Sequence, residues 1–244
     1  MSYDTLWPQR RATDPTEVMR AANFRLYRGL KRVFDVVVAL AALLILWPVL
    51  LLAAILIRFD SCGPIIFAQT RAGARWRGPA LTGRWQATTF KCYKFRTMFD
   101  GCDQKMHEAF IQAFVNGEVP AGEDGSLPFK LKNDPRVTRL GRFLRKSSID
   151  ELPQLFNVLK GEMSLVGPRP VPLYEVAAYK PWHRERLNAL PGLTGLWQVK
   201  GRSRVSFDDM ARLDIDYVRH PSLMTDVILL IRTVPAVLAA RGAN

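Results

Sequence analysis

Two adjacent carboxylates, Asp150 and Glu151, stand between Arg145 and Arg169 in a chain of 244 residues. A carboxylate can act as a nucleophile toward phosphorus, and a second can hold a Mg²⁺ ion that bridges phosphate oxygens. Guanidinium groups match phosphate in bidentate geometry. Nucleophile, metal ligand and charge clamp are the parts that phosphoryl transfer needs. The same acids also have a purely structural reading. Pro153 has no N–H and fits the first turn of a helix, which would make Asp150 its N-cap and Glu151 a neighbour favoured by the helix dipole. The residues alone leave both readings open. Downstream, Pro168 and Pro170 on either side of Arg169 would present its guanidinium with little loss of entropy, or simply form a rigid turn. Pro191 to Arg202 reads as turn, strand and turn, with three glycines that let the backbone approach a ligand and a Trp197 that is either core or base-stacking. Phosphate-binding loops of the GxxxxGK[ST] and GxGxxG types are absent, as are GxSxG and HExxH.

Charge supports an anionic partner. Lys and Arg number 35 against 22 Asp and Glu, a formal net charge of +13, and nucleic acid, anionic lipid and phosphorylated substrate all satisfy that excess. The 48% of hydrophobic residues excludes a disordered chain, and their distribution excludes a polytopic one. Three cysteines without CxxC spacing and three scattered histidines, His107, His183 and His220, argue against a zinc site or a disulfide framework and for a reducing compartment, with the globular part facing the cytoplasm.

The elements that must position these groups begin with Val36 to Ile57, which carries no charge. As a helix it is roughly 33 Å long at about 1.5 Å per residue, enough for a hydrocarbon core of about 30 Å. Pro48 should kink or break it. Its flanks are basic on both sides, with Arg25, Arg28, Lys31 and Arg32 before and Arg58, Arg71 and Arg75 after, which places both ends in the cytoplasm. A spanning helix and a re-entrant hairpin both remain open. Asp35 at the membrane edge pairs with Arg32 or is solvated among headgroups. Val18 to Leu30 reads as an amphipathic surface helix. Further on, the expected elements are strands at Ile65–Ala68 and Phe90–Met98 with a hairpin or loop at 73–88. A helix at Met106–Val115 and a surface loop at Asn116–Pro128 follow. A basic amphipathic helix should be capped by Asp134 with Pro135 at its first position, its apolar face being Val137, Leu140, Phe143 and Leu144. An apolar helix is expected over Asp226–Arg241.

Taken together, these residues resemble the bacterial sugar transferase family of monotopic polyprenyl-phosphate sugar-1-phosphate transferases. The blocks run in order: Lys31-Arg32-x-x-Asp35, Gly63 to Gly73, Lys94-Phe95-Arg96-Thr97-Met98, Asp150 to Leu155, Ser164 to Pro170, Pro191 to Arg202 and Asp214-x-x-Tyr217. The resemblance implies an α+β fold: a re-entrant membrane helix-break-helix plus a small mixed catalytic domain with amphipathic interfacial helices. The divisions expected are a polar segment at 1–30, the membrane hairpin at 31–60 with Pro48 at its break, and a catalytic domain at 61–244 with a variable insertion at 99–129. It also implies a ping-pong reaction at the cytoplasmic face of the bacterial inner membrane, in exopolysaccharide, O-antigen or capsule assembly. Asp150 would attack the sugar-bearing phosphate of a UDP-sugar, and undecaprenyl phosphate would then take the phosphosugar. Glu151 would bind Mg²⁺, Arg145 and Arg169 would hold phosphates, and Lys94, Arg96 and Arg202 are further substrate-binding candidates. Expected partners are UDP-sugar, undecaprenyl phosphate, anionic lipid and a second copy of the chain, with no nucleic acid. Two positions depart from the family's habit: Trp47 stands where Ser often precedes the membrane proline, and Pro221 where an aromatic often precedes Ser222.

Overall fold

The computed structural model describes residues 15–79, 83–119, 134–200 and 205–238. Helix α1 (Pro15–Asp60) is 46 residues long and contains Pro48 within it. The two helices expected on either side of Pro48 are thus one continuous element, which also passes through residue 30. A proline removes a single N–H, while the neighbouring turns keep their own hydrogen bonds and have no water to compete for them in an apolar setting. One stripe of α1, including Asp35, Ala39, Ala53 and Ile57, is buried against the rest of the molecule. The opposite side exposes Val33, Val37, Leu44, Ile45, Leu51 and Leu52, a strip that water would disfavour and hydrocarbon accepts. The helix is long and apolar enough to cross a membrane.

Beyond α1 the chain is a mixed α and β body. Strands β1 (Ile66–Arg77) and β2 (Arg84–Phe95) form an antiparallel hairpin, with Ile66 opposite Phe95 and Arg77 opposite Arg84. The strands are longer than expected because the Arg-, Gly- and Trp-rich stretch joins them: Trp76 and Trp85 pair across the ladder, ring centroids 5.6 Å apart, edge to face. Helix α2 (Lys105–Asn116) lies where periodicity places it and ends at Gly117, in the left-handed region; most of the loop expected after it lies outside the described residues.

Helix α3 (Arg139–Lys146) starts four residues later than expected. Its cap is Thr138, whose hydroxyl accepts from the Gly141 N–H at 2.9 Å. Asp134 instead closes a tight turn, accepting from the Arg136 backbone N–H at 3.0 Å and pairing with its guanidinium. The physical reason lies in the neighbouring strand end: Val137 bridges Met98 and the Thr138 N–H donates to the Thr97 carbonyl, which hold 137–138 extended. A Cβ at Gly141 would meet that carbonyl at 2.1 Å, so only glycine fits there.

Helix α4 (Gln154–Lys160) leads into β3 (Ser164–Val166), which pairs in parallel with β4 (Gly192–Thr194). Here the expected turn, strand and turn of Pro191–Arg202 is corrected. After β4 comes helix α6 (Leu196–Lys200), preceded in the chain by α5 (Leu173–Ala177) and a 3₁₀ stretch Pro181–Leu187. Trp197 is core, and the glycines bring two backbones together rather than a backbone and a ligand, since a Cβ on Gly192 would lie 2.1 Å from the Gly167 nitrogen.

Helices α7 (Phe207–Arg219) and α8 (Leu223–Leu238) complete the body. One apolar cluster gathers Ala39 of α1 with Cys92, Val158, Leu165, Tyr217 and Leu229, and a second gathers Phe114, Tyr179, Trp197, Phe207 and Met210. Polar groups are buried with partners. Arg186 contacts Asp214 at 2.5 Å and the Tyr179 hydroxyl at 2.9 Å. Asp226 accepts from Lys31 Nζ at 2.9 Å, Tyr27 at 3.0 Å and Tyr217 at 2.6 Å. Asp35 is neither solvated nor paired with Arg32, as had been expected. It accepts from the Leu165 N–H at 3.1 Å and lies 4.0 Å from Lys31. Arg32 is occupied elsewhere, donating to the carbonyls of Val158 and Leu159 at the end of α4.

Removing one partner of a buried ionic joint leaves the other uncompensated, whereas an exposed pair contributes little. Asp226→Ala should therefore destabilise the protein by about 3–5 kcal/mol. Arg219→Ala, which breaks the surface pair with Glu185 at 2.7 Å, should cost less than about 1 kcal/mol. Thermal unfolding of both variants in one detergent checks the ranking, and equal midpoints would refute it.

Candidate active site

A turn with an unusual backbone delivers the two carboxylates. After α3 the chain enters Ser148 at φ 58°, the left-handed region, and this non-glycine residue is alone in doing so among the described residues. Such a conformation costs on the order of 1 kcal/mol or more and is held by its surroundings. It reverses the chain into a 3₁₀ turn, Ile149–Glu151, with Ile149 packed against Ile57, Phe95 and Leu144. The helix cap reading of Asp150 therefore fails. The residue flanking α4 is Pro153, with no capping side chain, and Asp150 is buried in the preceding turn.

Asp150 and Glu151 line a cleft of about 240 Å³ together with Arg145, Arg169, Lys94 and Arg96. Glu151 receives Lys94 Nζ at 2.7 Å and has Arg169 Nη2 at 3.7 Å. Arg145 is aimed by its neighbour Thr97, to whose hydroxyl its Nε donates at 2.8 Å. Burial lowers the Arg145 pKa, and among the charges around it Asp150 is the foremost in opposing that. Arg169 is carried out of β3 by the Gly167–Pro170 segment. That segment is clamped by the hairpin: Arg71 Nη1 donates to the Pro170 carbonyl at 2.7 Å and the Ala72 N–H to the Val171 carbonyl at 2.9 Å.

Five of the expected site residues thus line one cleft. Arg96 lines the same cleft but has a further task. Its Nη2 donates to the carbonyls of Ile57 and Ser61 at 3.2 and 2.6 Å, which caps the end of the membrane helix. Arg202 lies outside the described residues, and Pro48 lies in α1, in a part that belongs to none of the three apolar clusters.

Three residues were not assigned a role from sequence. Arg71, Arg136 and His107 also line the cleft. Arg71 had a signal, since it stands two positions after Gln69 on one face of β1, and its Nη2 donates to Gln69 at 2.7 Å. Arg136 and His107 come from distant segments, and nothing local marks them. His107 belongs to the stretch expected to be a variable insertion, yet it sits 2.6 Å from the Tyr174 hydroxyl. Burial, then the positive charge of Arg71, Arg136, Arg169 and Arg145, pushes its pKa down to about 4. The imidazole is a gauge of the cleft: four guanidinium groups act on it at once, as in a site built for phosphates.

A metal also fits these residues in a limited way. Among the described residues no group of three or more His, Cys, Asp and Glu is placed to hold an ion, so an all-protein cage is excluded there. Mg²⁺ is commonly held by one or two carboxylates with the remaining oxygens from phosphate and water, and Asp150 with Glu151 matches that requirement.

His107 generates a pH test. Its folded pKa is depressed below the ordinary 6.5, so the stability it contributes is present above about pH 6.5 and is lost as pH falls toward 4. Replacing it by Gln should flatten that part of the stability–pH curve, measured by unfolding between pH 4 and 7.5. An unchanged curve would show that the imidazole is not held neutral.

Comparison with known proteins completes the site. Residues 26–240 match the family model for the bacterial sugar transferases. The chain is 41% identical over 213 residues to the exopolysaccharide production protein ExoY of Rhizobium meliloti, covering 87% of each chain. It is 41% identical over 216 residues to the undecaprenyl-phosphate galactose phosphotransferase of Salmonella typhimurium, covering 88% of this chain and 42% of that one. To the UDP-glucose:undecaprenyl-phosphate glucose-1-phosphate transferase of Caulobacter vibrioides it is 40% identical over 222 residues, covering 87% and 71%. The protein is an enzyme, a transferase, and belongs to the bacterial sugar transferase family.

Proposed function

We propose that this protein transfers a sugar-1-phosphate from a UDP-sugar to undecaprenyl phosphate at the cytoplasmic face of the bacterial inner membrane, an initiating step of cell-surface glycan assembly. One observation carries the reading: the buried Asp150 lines the same cleft as Glu151, Lys94, Arg145 and Arg169. The names of the relatives, which specify undecaprenyl phosphate and galactose or glucose, supply the substrate class. In the first half-reaction an Asp150 carboxylate oxygen bonds to the phosphorus that bears the sugar, and the bond from that phosphorus to the UMP oxygen breaks. UMP leaves with its electron pair. In the second, an undecaprenyl phosphate oxygen bonds to the same phosphorus and the acyl–phosphate bond breaks, which regenerates Asp150 and yields the diphosphate-linked sugar. Arg145 and Arg169 hold the phosphates throughout, and Lys94 neutralises Glu151 when no substrate is present. A Mg²⁺ ion held by Glu151 would add charge neutralisation on the phosphate oxygens.

The attachments of α1 support a reading of the membrane topology. Its first half packs on the cluster of Val158 and Leu165, and its last turns, through Ala53 and Ile57, on Phe95 and Leu144. Both ends thus dock on the same polar body, while Leu44, Ile45 and Trp47 between them are exposed. We infer that this continuous helix follows a re-entrant path in the membrane, bending at Pro48, where the missing N–H leaves the hydrogen-bond ladder weakest.

Two measurements test the proposal. With UDP-glucose or UDP-galactose and undecaprenyl phosphate, Asp150→Asn should lower UMP release by about 10³ or more. Wild-type protein given the UDP-sugar alone should gain the mass of one hexose phosphate. A fully active Asp150→Asn protein would eliminate the covalent route. For topology, single cysteines introduced at positions 5 and 240 should both react with a thiol reagent from the cytoplasmic side of inverted vesicles, and reaction from opposite sides would rule out the re-entrant path.

A further inference from the structure

The larger of the two clefts, about 590 Å³, shares no lining residue with the catalytic one. It opens between the Phe24–Asp35 stretch of α1 and the far end of the β1–β2 hairpin. Its charged lining is dominated by cations: Arg28, Lys31, Arg32, Arg75 and Lys160 against Asp35 and Glu162. Three of the cations have partners already. Lys31 is held by Asp226, Arg32 by the α4 carbonyls, and Lys160 by the Tyr93 hydroxyl at 2.7 Å. Arg28 and Arg75 have no carboxylate or carbonyl partner among the described residues.

Arg28 is nevertheless fixed in place. Its guanidinium lies over Trp76 at 4.8 Å, Trp85 at 5.5 Å and Phe24 at 5.9 Å from the ring centroids. Cation–ring attraction holds the group there without using a carboxylate. A guanidinium so held still offers N–H donors to a bidentate acceptor. The rings that hold it are themselves locked, Trp76 and Trp85 as a cross-strand pair and Phe24 against Trp76 at 5.2 Å. An aromatic platform that fixes an arginine and leaves its donors unused is a preorganised anion site.

The position of this cleft on α1 selects the anion. On the other side of the same turns the helix exposes Leu26, Leu30 and Val33, where its apolar face begins. The cleft therefore lies at the depth at which the helix passes from water to hydrocarbon, the level of lipid phosphates. We propose that it binds the phosphate headgroup of an anionic membrane phospholipid, with Arg28 and Arg75 as the ligating cations. Such a site would fix the depth at which the first half of α1 enters the membrane, at a point remote from the chemistry.

The test uses the full chain in detergent micelles, with dioctanoyl phosphatidylglycerol, dioctanoyl phosphatidylcholine and inorganic phosphate as separate probes. Bound lipid is counted by native mass spectrometry over a titration. One saturable phosphatidylglycerol site is expected. Arg28→Gln and Arg75→Gln should each weaken it about tenfold while UMP release in micelles stays at the wild-type level. Phosphatidylcholine, whose own cation meets the basic wall, should bind at least fivefold more weakly. Arg169→Gln, in the catalytic cleft, should leave the site intact. Arg75 is on an exposed strand position, so its variant reads the site even if Arg28→Gln fails to fold. Unchanged binding in Arg75→Gln, or loss of binding in Arg169→Gln alone, would overturn the assignment. Inorganic phosphate binding as tightly as phosphatidylglycerol would do the same, since the ligand would then be a soluble phosphate.

Discussion

Lys31 and Asp226, 2.9 Å apart with almost no access to solvent, join the membrane helix to the catalytic body. Tyr27 and Tyr217 give their hydroxyls to the same carboxylate, and Tyr217 is also within bonding distance of the Val166 carbonyl of β3, at 3.0 Å. Four residues later on α1, Asp35 accepts from the next strand residue, Leu165. A helix that must remain in lipid has no hydrophobic reason to adhere to a polar domain beside it. Polar groups that find no adequate partner in hydrocarbon provide one instead, because each has its hydrogen bonds only in the docked arrangement.

That joint sets the position of everything downstream. Arg32 caps the last turn of α4, and α4 follows directly on the turn that carries Asp150. At the other end of the membrane helix, Arg96 caps the carbonyls of Ile57 and Ser61 from the strand end that also bears Lys94. The cleft is thus strung between two attachments of a single helix. In the function proposed above, the Asp150 carboxylate would have to be held at a fixed depth to meet a lipid phosphate, and rigid attachment at two points would achieve this without a flexible linker.

Electrostatics and packing divide the work between them. Arginines supply the cleft's positive potential, and at His107 that potential adds to burial in lowering the imidazole's proton affinity. Glycines supply close approach: Gly141 against Thr97, and Gly192 against Gly167, bring strand ends within reach of one another. Ser148, in the left-handed region, starts the 3₁₀ turn that carries Asp150, which lines the cleft. Local rules would have placed that carboxylate at a helix start, and the departure from them coincides with the residue proposed above as the nucleophile.

The sequence by itself determined the basic character, the apolar segment, α2, and the Asp150-Glu151 pair between Arg145 and Arg169, while Lys94 came in only through the family resemblance. Residue type and short spacing carry those signals, through charge, helical periodicity and the limited chemistry of adjacent carboxylates. Tertiary structure alone decided the rest. Thr138 replaced Asp134 as the cap of α3 because Val137 pairs with Met98, a partner far away in sequence. Trp76 and Trp85, in a stretch that reads as hairpin or loop, settled it as a long hairpin once they faced each other. Asp35 chose the backbone of Leu165 over Arg32, three residues away, because Arg32 was drawn to the end of α4. His107, Arg136 and Arg71 reached the cleft from three separate segments. In each case the deciding partner is remote along the chain, so its pull is not encoded in any local pattern and appears only when burial makes an unpaired polar group costly.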